Sequence, residues 1–154
     1  MPEIEDYDGS MPEAKRTITV NRPIADVFAF VSDGANATKW RSGVLDLSHT
    51  SGAGVGERWK QGVRGPGGRR IDADYEITSF DAPHKLEFKA TAGPVRPTGG
   101  YLLVESAENV TDLTFWLKAE VGGLKGLLMG GAVQKTMDAE MAALDRLKSV
   151  LEAS

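Results

Sequence analysis

The sequence predicts one α+β domain, a curved antiparallel sheet wrapped around a long C-terminal helix. Three observations carry this. The chain has 154 residues, enough for one core and too few for two. Apolar residues alternate with polar ones in short runs from Val44 to Val121, separated by turn-forming residues. The last stretch changes period, with Met137, Met141, Leu144, Leu147 and Leu151 recurring every three or four residues.

Residues 1–14 hold Glu3, Glu5, Asp6, Asp8 and Glu13, two prolines and no apolar period, and are expected to form a disordered acidic tail. Residues 15–154 are then the single folded domain. Met11-Pro12-Glu13 repeats Met1-Pro2-Glu3, which marks Met11 as a second candidate start. Thr17 and Thr19 alternate with Ile18 and Val20 in a first strand. Pro23 opens a helix, with Asn21 or Arg22 as the expected cap, and Ile24, Val27, Phe28 and Val31 share its apolar face. Ser32-Asp33-Gly34 ends it, and Ala35 to Trp40 reads as a second short helix.

The strands that follow are broken at Gly52 to Gly56, Gly65 to Gly68, Asp81-Ala82-Pro83, Gly93-Pro94 and Glu108-Asn109. One hairpin can be registered. Pairing Trp59 with Tyr75 sets Gln61 against Ala73 and Val63 against Ile71 on one side, and Arg58 against Glu76 and Lys60 against Asp74 on the other. Leu86, Phe88 and Ala90, then Leu113, Phe115 and Leu117, continue the apolar side. The final helix is expected to break near Gly130-Gly131, and its stripe needs the concave side of the sheet as partner.

Composition removes several functions. No apolar run approaches the roughly 20 residues of a membrane span, and the N-terminus has no signal-peptide pattern, so cytoplasmic residence is expected. There are no cysteines, hence no disulfide, thiol nucleophile or thiolate metal site. The net charge of −4 sits in the tail, since residues 15–154 hold 18 basic and 17 acidic groups. A nearly neutral domain lacks the basic face that nucleic-acid capture requires.

The order of elements, together with Thr17-Ile18-Thr19-Val20, Pro23-Ile24-Ala25-Asp26-Val27-Phe28, Trp40, Gly56-Glu57-Arg58-Trp59, Asp81-Ala82-Pro83-His84-Lys85-Leu86, Thr111-Asp112-Leu113-Thr114 and the ending Leu147-Lys148-Ser149-Val150-Leu151-Glu152, resembles the Bet v 1/START-like (SRPBCC) superfamily, in its polyketide cyclase/dehydrase and lipid-transport branch. The resemblance covers about residues 15–152. It implies a helix-grip fold with a six-stranded meander, and a cavity between sheet and last helix for a hydrophobic or aromatic small molecule.

Trp59, Gln61, Tyr75 and Tyr101 are the polar-tipped candidates for that lining, against the plainer reading of core residues with hydrogen-bonded tips. Phe88, Leu103, Phe115 and Leu117 from the same sheet side, and Met137 and Met141 from the helix, complete it. Glu105 shares parity with Tyr101 and Leu103 and is the one candidate carboxylate, although Leu102 and Val104 compete for that face. Asp72, Asp74 and Glu76 lie beside Arg58 and Lys60, so cross-strand ion pairing is favoured over a metal site. His49 and His84 have no ligand spacing; no metal and no cofactor are expected. Gly52-Ala53-Gly54-Val55-Gly56 is a turn, not a nucleotide loop. Arg64, Arg69 and Arg70 form a basic hairpin tip, solvated by default, with contact to an anionic ligand as the alternative. Gly122, Gly123, Gly126, Gly130 and Gly131 each weaken a helix by up to about 1 kcal/mol, which suggests that the first half of the last helix gates the pocket, against a helix that is merely kinked.

The expected function is carriage or sensing of a small hydrophobic ligand by a monomer or weak homodimer. The alternatives are an aromatase/cyclase-type enzyme in the same cavity and an interaction or stress-response module without a ligand. An enzyme needs an inward acid or base; a carrier does not.

Overall fold

The computed structural model describes residues 12–93, 95–119 and 123–154, with side chains left aside at Pro66 and over 123–130. Most of the tail, residues 1–11, lies outside these, as do Pro94 and Gly122. Strand β1 is Glu13–Val20, so Glu13 and Ala14, expected in the tail, are in the sheet. The first helix, α1, is Ile24–Ser32. Neither Asn21 nor Arg22 caps it: Pro23 stands at the cap position, and its carbonyl accepts the N–H groups of Asp26 and Val27. Asp33 then caps a 3₁₀ segment over Gly34–Lys39 through its side-chain oxygen and the Ala35 N–H.

The meander is β2 (Val44–Ser51), β3 (Arg58–Arg64), β4 (Arg70–Asp72), β5 (Tyr75–Asp81), β6 (Lys85–Ala90), β7 (Thr98–Ala107) and β8 (Val110–Lys118). That is one strand more than the resemblance implied. The arm opposite β3 is interrupted before Tyr75, where the Asp74 carboxylate, in place of a backbone carbonyl, accepts the Gln61 N–H. Gly93 fits against this interruption, with a φ of +99° and a Cα so close to the Asp72 carbonyl that a Cβ would collide with it. On either side the pairing is the one expected: Trp59 opposite Tyr75, Arg58 opposite Glu76, Val63 opposite Ile71.

All pairs are antiparallel, in the order β1-β8-β7-β6-β5-β3-β2, with β4 attached to β3. β1 therefore closes the far edge beside β8. Register shifts within the β2–β3, β5–β6 and β7–β8 pairs are the bulges that bend such a sheet into a half-barrel.

The final helix is bent, with α2 over Gly123–Ala142 and α3 over Leu144–Glu152. The break is at Ala143 and not at Gly130-Gly131, through which α2 runs without interruption. Its cause is on the neighbouring strand. Arg16 donates from Nη1 to the Met141 carbonyl and from Nη2 to the Asp145 carboxylate, occupying a backbone acceptor just where the helix turns. Both helices pack mainly over β1, and α2 also reaches β8. There Leu144, Leu147 and Leu151 meet Ile18, Val20, Leu103, Leu113 and the Val27–Phe28 face of α1 in a solid core.

Candidate functional site

Away from that core, the concave face of β3 to β8 is roofed by the 3₁₀ segment and by α2, and the space between holds a cavity of about 490 Å³. Period-2 alternation delivers one aromatic ring from each of several neighbouring strands to this face, and the rings touch in series. Trp59 stacks on Tyr75 at 6.4 Å between centroids, Tyr75 meets Phe88 at 5.8 Å, Phe88 meets Tyr101 at 6.5 Å, Tyr101 stacks on Phe115 at 4.7 Å, and Phe115 takes the edge of Trp40 at 6.0 Å. The outcome is a continuous aromatic wall. Gly34 seats the roof on it, because a Cβ there would stand 2.7 Å from the Tyr75 hydroxyl and 2.8 Å from the Trp59 ring.

Polar groups interrupt the apolar lining in two places. Arg64, Arg69 and Arg70, expected at a solvated tip, border the cavity together with Asp72 at the β3–β4 hairpin. A second cluster lies beneath the roof. Arg41, just after the 3₁₀ segment, donates from Nε to Glu140 Oε2 of α2 at 2.6 Å and from Nη1 to Gln61 Oε1 at 3.2 Å. Gln61 in turn donates to the Ala73 carbonyl. Burial lowers the pKa of Arg41, and the Glu140 carboxylate together with the Tyr101 and Tyr75 hydroxyls outweighs it, so the guanidinium is held above its ordinary value and remains charged. Burial raises the hydroxyls of Tyr75 and Tyr101 well above their usual value, against the opposing pull of Arg41, and both remain protonated at neutral pH. Neither hydroxyl has a hydrogen-bond partner among the described residues. Among the described residues no fully enclosed side-chain polar atom lacks a partner, so both open onto the cavity.

Of the expected lining, Trp59, Gln61, Tyr75, Phe88, Tyr101, Phe115, Leu117 and Met137 do line the cavity. Leu103 and Met141 do not; they are packed in the solid core. Glu105 is exposed at the end of β7, beyond the last inward residue, so it is no pocket acid. Leu102 and Val104 are exposed as well, which settles the parity of β7 in favour of Tyr101 and Leu103.

Of the expected ion pairs, Arg58–Glu76 forms at 3.1 Å, whereas Arg70 takes Asp46 and Asp72, and Asp74 serves the backbone. Among the described residues no group of three metal-ligating side chains occurs, and no helix is long and apolar enough to cross a membrane.

The sequence reading missed Arg41 and Glu140. Glu140 had a signal, since it stands three residues after Met137 and one before Met141, on the apolar stripe itself. Arg41 had none: it follows a short irregular segment whose direction no periodicity reveals.

The family described as polyketide cyclase / dehydrase and lipid transport matches residues 11–152. No curated protein matches the sequence. Among solved structures, a protein from Thermus thermophilus superposes with a TM-score of 0.77 at 18% identity, over 92% of this chain and 98% of that one. A START superfamily protein from Mycobacterium smegmatis gives 0.76 at 14% identity, over 92% and 97%. The Zhui aromatase/cyclase from Streptomyces sp. R1128 gives 0.71 at 14%, over 91% and 96%. At such identities the likeness is one of fold.

Proposed function

The chain belongs to the polyketide cyclase/dehydrase and lipid-transport family, and on that footing we propose that it binds a small hydrophobic molecule of aromatic character in the cavity between sheet and helix. The observation that carries this is the run of six touching rings along one wall. Such a run offers offset-stacked and edge-on contacts to a flat ligand, each worth about 0.5–1.5 kcal/mol beyond the area it buries. The volume falls in the range of about 300–1,000 Å³ of small-molecule sites. The domain, which begins with β1 at Glu13, works in this reading as a cytoplasmic monomer or weak homodimer without a cofactor.

Trp40 and Trp59 both face the cavity, so intrinsic fluorescence reads occupancy directly. Titration with naphthalene- or anthracene-type compounds is expected to quench it saturably, and native mass spectrometry of the freshly purified protein to find a bound small molecule. Absence of both results would refute the proposal.

A second reading, an aromatase/cyclase-type enzyme, is favoured by the Arg41–Glu140 pair, because that is the inward acid–base group a carrier does not need. In it Glu140 takes a proton from the carbon beside a ligand carbonyl while Arg41 and Tyr101 hold the enolate oxygen. Deuterium incorporation into a bound aryl ketone in D₂O, followed by NMR, separates the two. An enzyme accelerates it and loses the acceleration in Glu140→Gln; a carrier leaves the buffer rate unchanged.

A further inference from the structure

The polar atoms facing the cavity differ in what they have left to give. Gln61 is committed at both ends, to Arg41 and to the Ala73 carbonyl. The Thr136 hydroxyl donates to the Ala132 carbonyl, and Trp59 Nε1 to Glu57. Beside Arg41, what stays unspent among the described residues is mostly donors, the Tyr75 and Tyr101 hydroxyls and Arg41 Nη2; the guanidinium groups of Arg64 and Arg69 border the cavity separately, at the β3–β4 hairpin. Tyr101 is only 7% exposed and Gln61 6%, so this end of the cavity is shielded from bulk water.

Charge then decides which acceptor fits those donors. Arg41 and Glu140, with side chains 17% and 14% exposed, cancel each other. An incoming carboxylate would leave bulk water to face a guanidinium already neutralised, with the Glu140 carboxylate beside Nη2 on the shared Nε edge. Its desolvation cost would be met by little attraction and opposed by like charge. An uncharged carbonyl oxygen carries far less desolvation cost and can accept from the same phenols and Nη2.

We propose that Glu140 is a specificity-determining residue: by neutralising Arg41 it makes the cavity select uncharged aromatic ligands bearing an acceptor oxygen, aryl ketones foremost, against the matching aryl carboxylates. This rests on the cavity being an aromatic-ligand site, and it adds which polar group the ligand carries.

The test uses three probes on one ring system, naphthalene, 2-acetylnaphthalene and 2-naphthoate, titrated at pH 7 into the full chain and its variants by calorimetry. In the unmodified protein the ketone is expected to bind roughly tenfold tighter than naphthalene, the worth of one or two net hydrogen bonds, and at least about tenfold tighter than naphthoate. Glu140→Gln, which keeps the shape and removes the charge, exposes Arg41 and is expected to reverse the ketone-over-carboxylate order. Arg41→Gln, which leaves Glu140 alone, is expected to exclude naphthoate further. Failure of all three probes to bind refutes the aromatic-ligand reading itself. Binding of naphthalene with ketone and naphthoate equal in the unmodified protein, a comparison that needs no variant to fold, overturns this inference and leaves that reading standing. An unreversed order in folded Glu140→Gln overturns it too.

Discussion

The two ends of the concave face are built from the same alternating pattern and come out differently. At one end Leu103, Leu113, Leu144 and Leu147 are buried to 1% exposure or less. At the other, Tyr75, Phe88 and Ile71 stand beside open space. The difference lies in what covers them. The bent final helix crosses β1 and β8 and fills that end with its leucines, while over β3 to β6 the roof is a short 3₁₀ segment and the face of α2 bearing Val133, Thr136 and Glu140. Apolar alternation therefore specifies a surface that must be kept from water, and the covering element decides whether it becomes core or cavity.

Truncation should break the comparison most sharply. Leu147→Ala in the solid end is expected to cost about 2–5 kcal/mol in urea unfolding, whereas Phe88→Ala should cost roughly half as much, because part of the ring already borders empty space. Equal costs would mean that the hollow end is as tightly packed as the other. Glu140→Ala leaves Arg41 charged and unpaired in the lining, with an expected loss of about 3 kcal/mol. The double variant Arg41→Met/Glu140→Met should recover most of it, and a double variant no more stable than the single would show that the pair is not coupled.

Gly34→Ala should cost about 1–3 kcal/mol through the forced shift of Trp59 and Tyr75, and should change probe binding together with stability, since the roof rests on those rings. Amide exchange should be faster over residues 123–133, where the glycines lie, than over 137–151, where the leucines anchor the helix. Uniform protection would remove the gating reading.

The smallest effect is on pH. Burial raises the Tyr75 and Tyr101 hydroxyls above the ordinary value of 10.0, so the folded protein holds these protons more tightly than the unfolded chain. Their contribution is complete below pH 10 and is lost as pH rises beyond it. Unfolding free energies measured at pH 8 and pH 11 should show the fall, and Tyr101→Phe should shrink it.

Much of this molecule is readable along the chain. The strands, the Trp59–Tyr75 register and the Met137 to Leu151 stripe all follow from periods of 2 and 3.6 residues, which are local properties of the backbone. Seven of the eleven expected lining residues follow from strand parity, and Met137 from the helical period. Leu103 and Met141 went astray because parity tells which face a side chain is on and not what lies above it; Glu105 went astray because parity does not tell where the covered part of a strand ends. Propensity, weakest at the glycines, points to a bend there, yet the bend occurs at Ala143, beside Met141, whose carbonyl is taken by Arg16, 125 residues before it.

By itself, then, the sequence determined the elements, their inward faces and the aromatic character of one wall, because each depends on neighbours a few residues away. The tertiary structure alone decided that the helix fills one end and leaves the other hollow, and that Arg41 meets Glu140 across 99 residues of chain. Both depend on the path one element takes across another, which is fixed by the balance of packing over the whole fold.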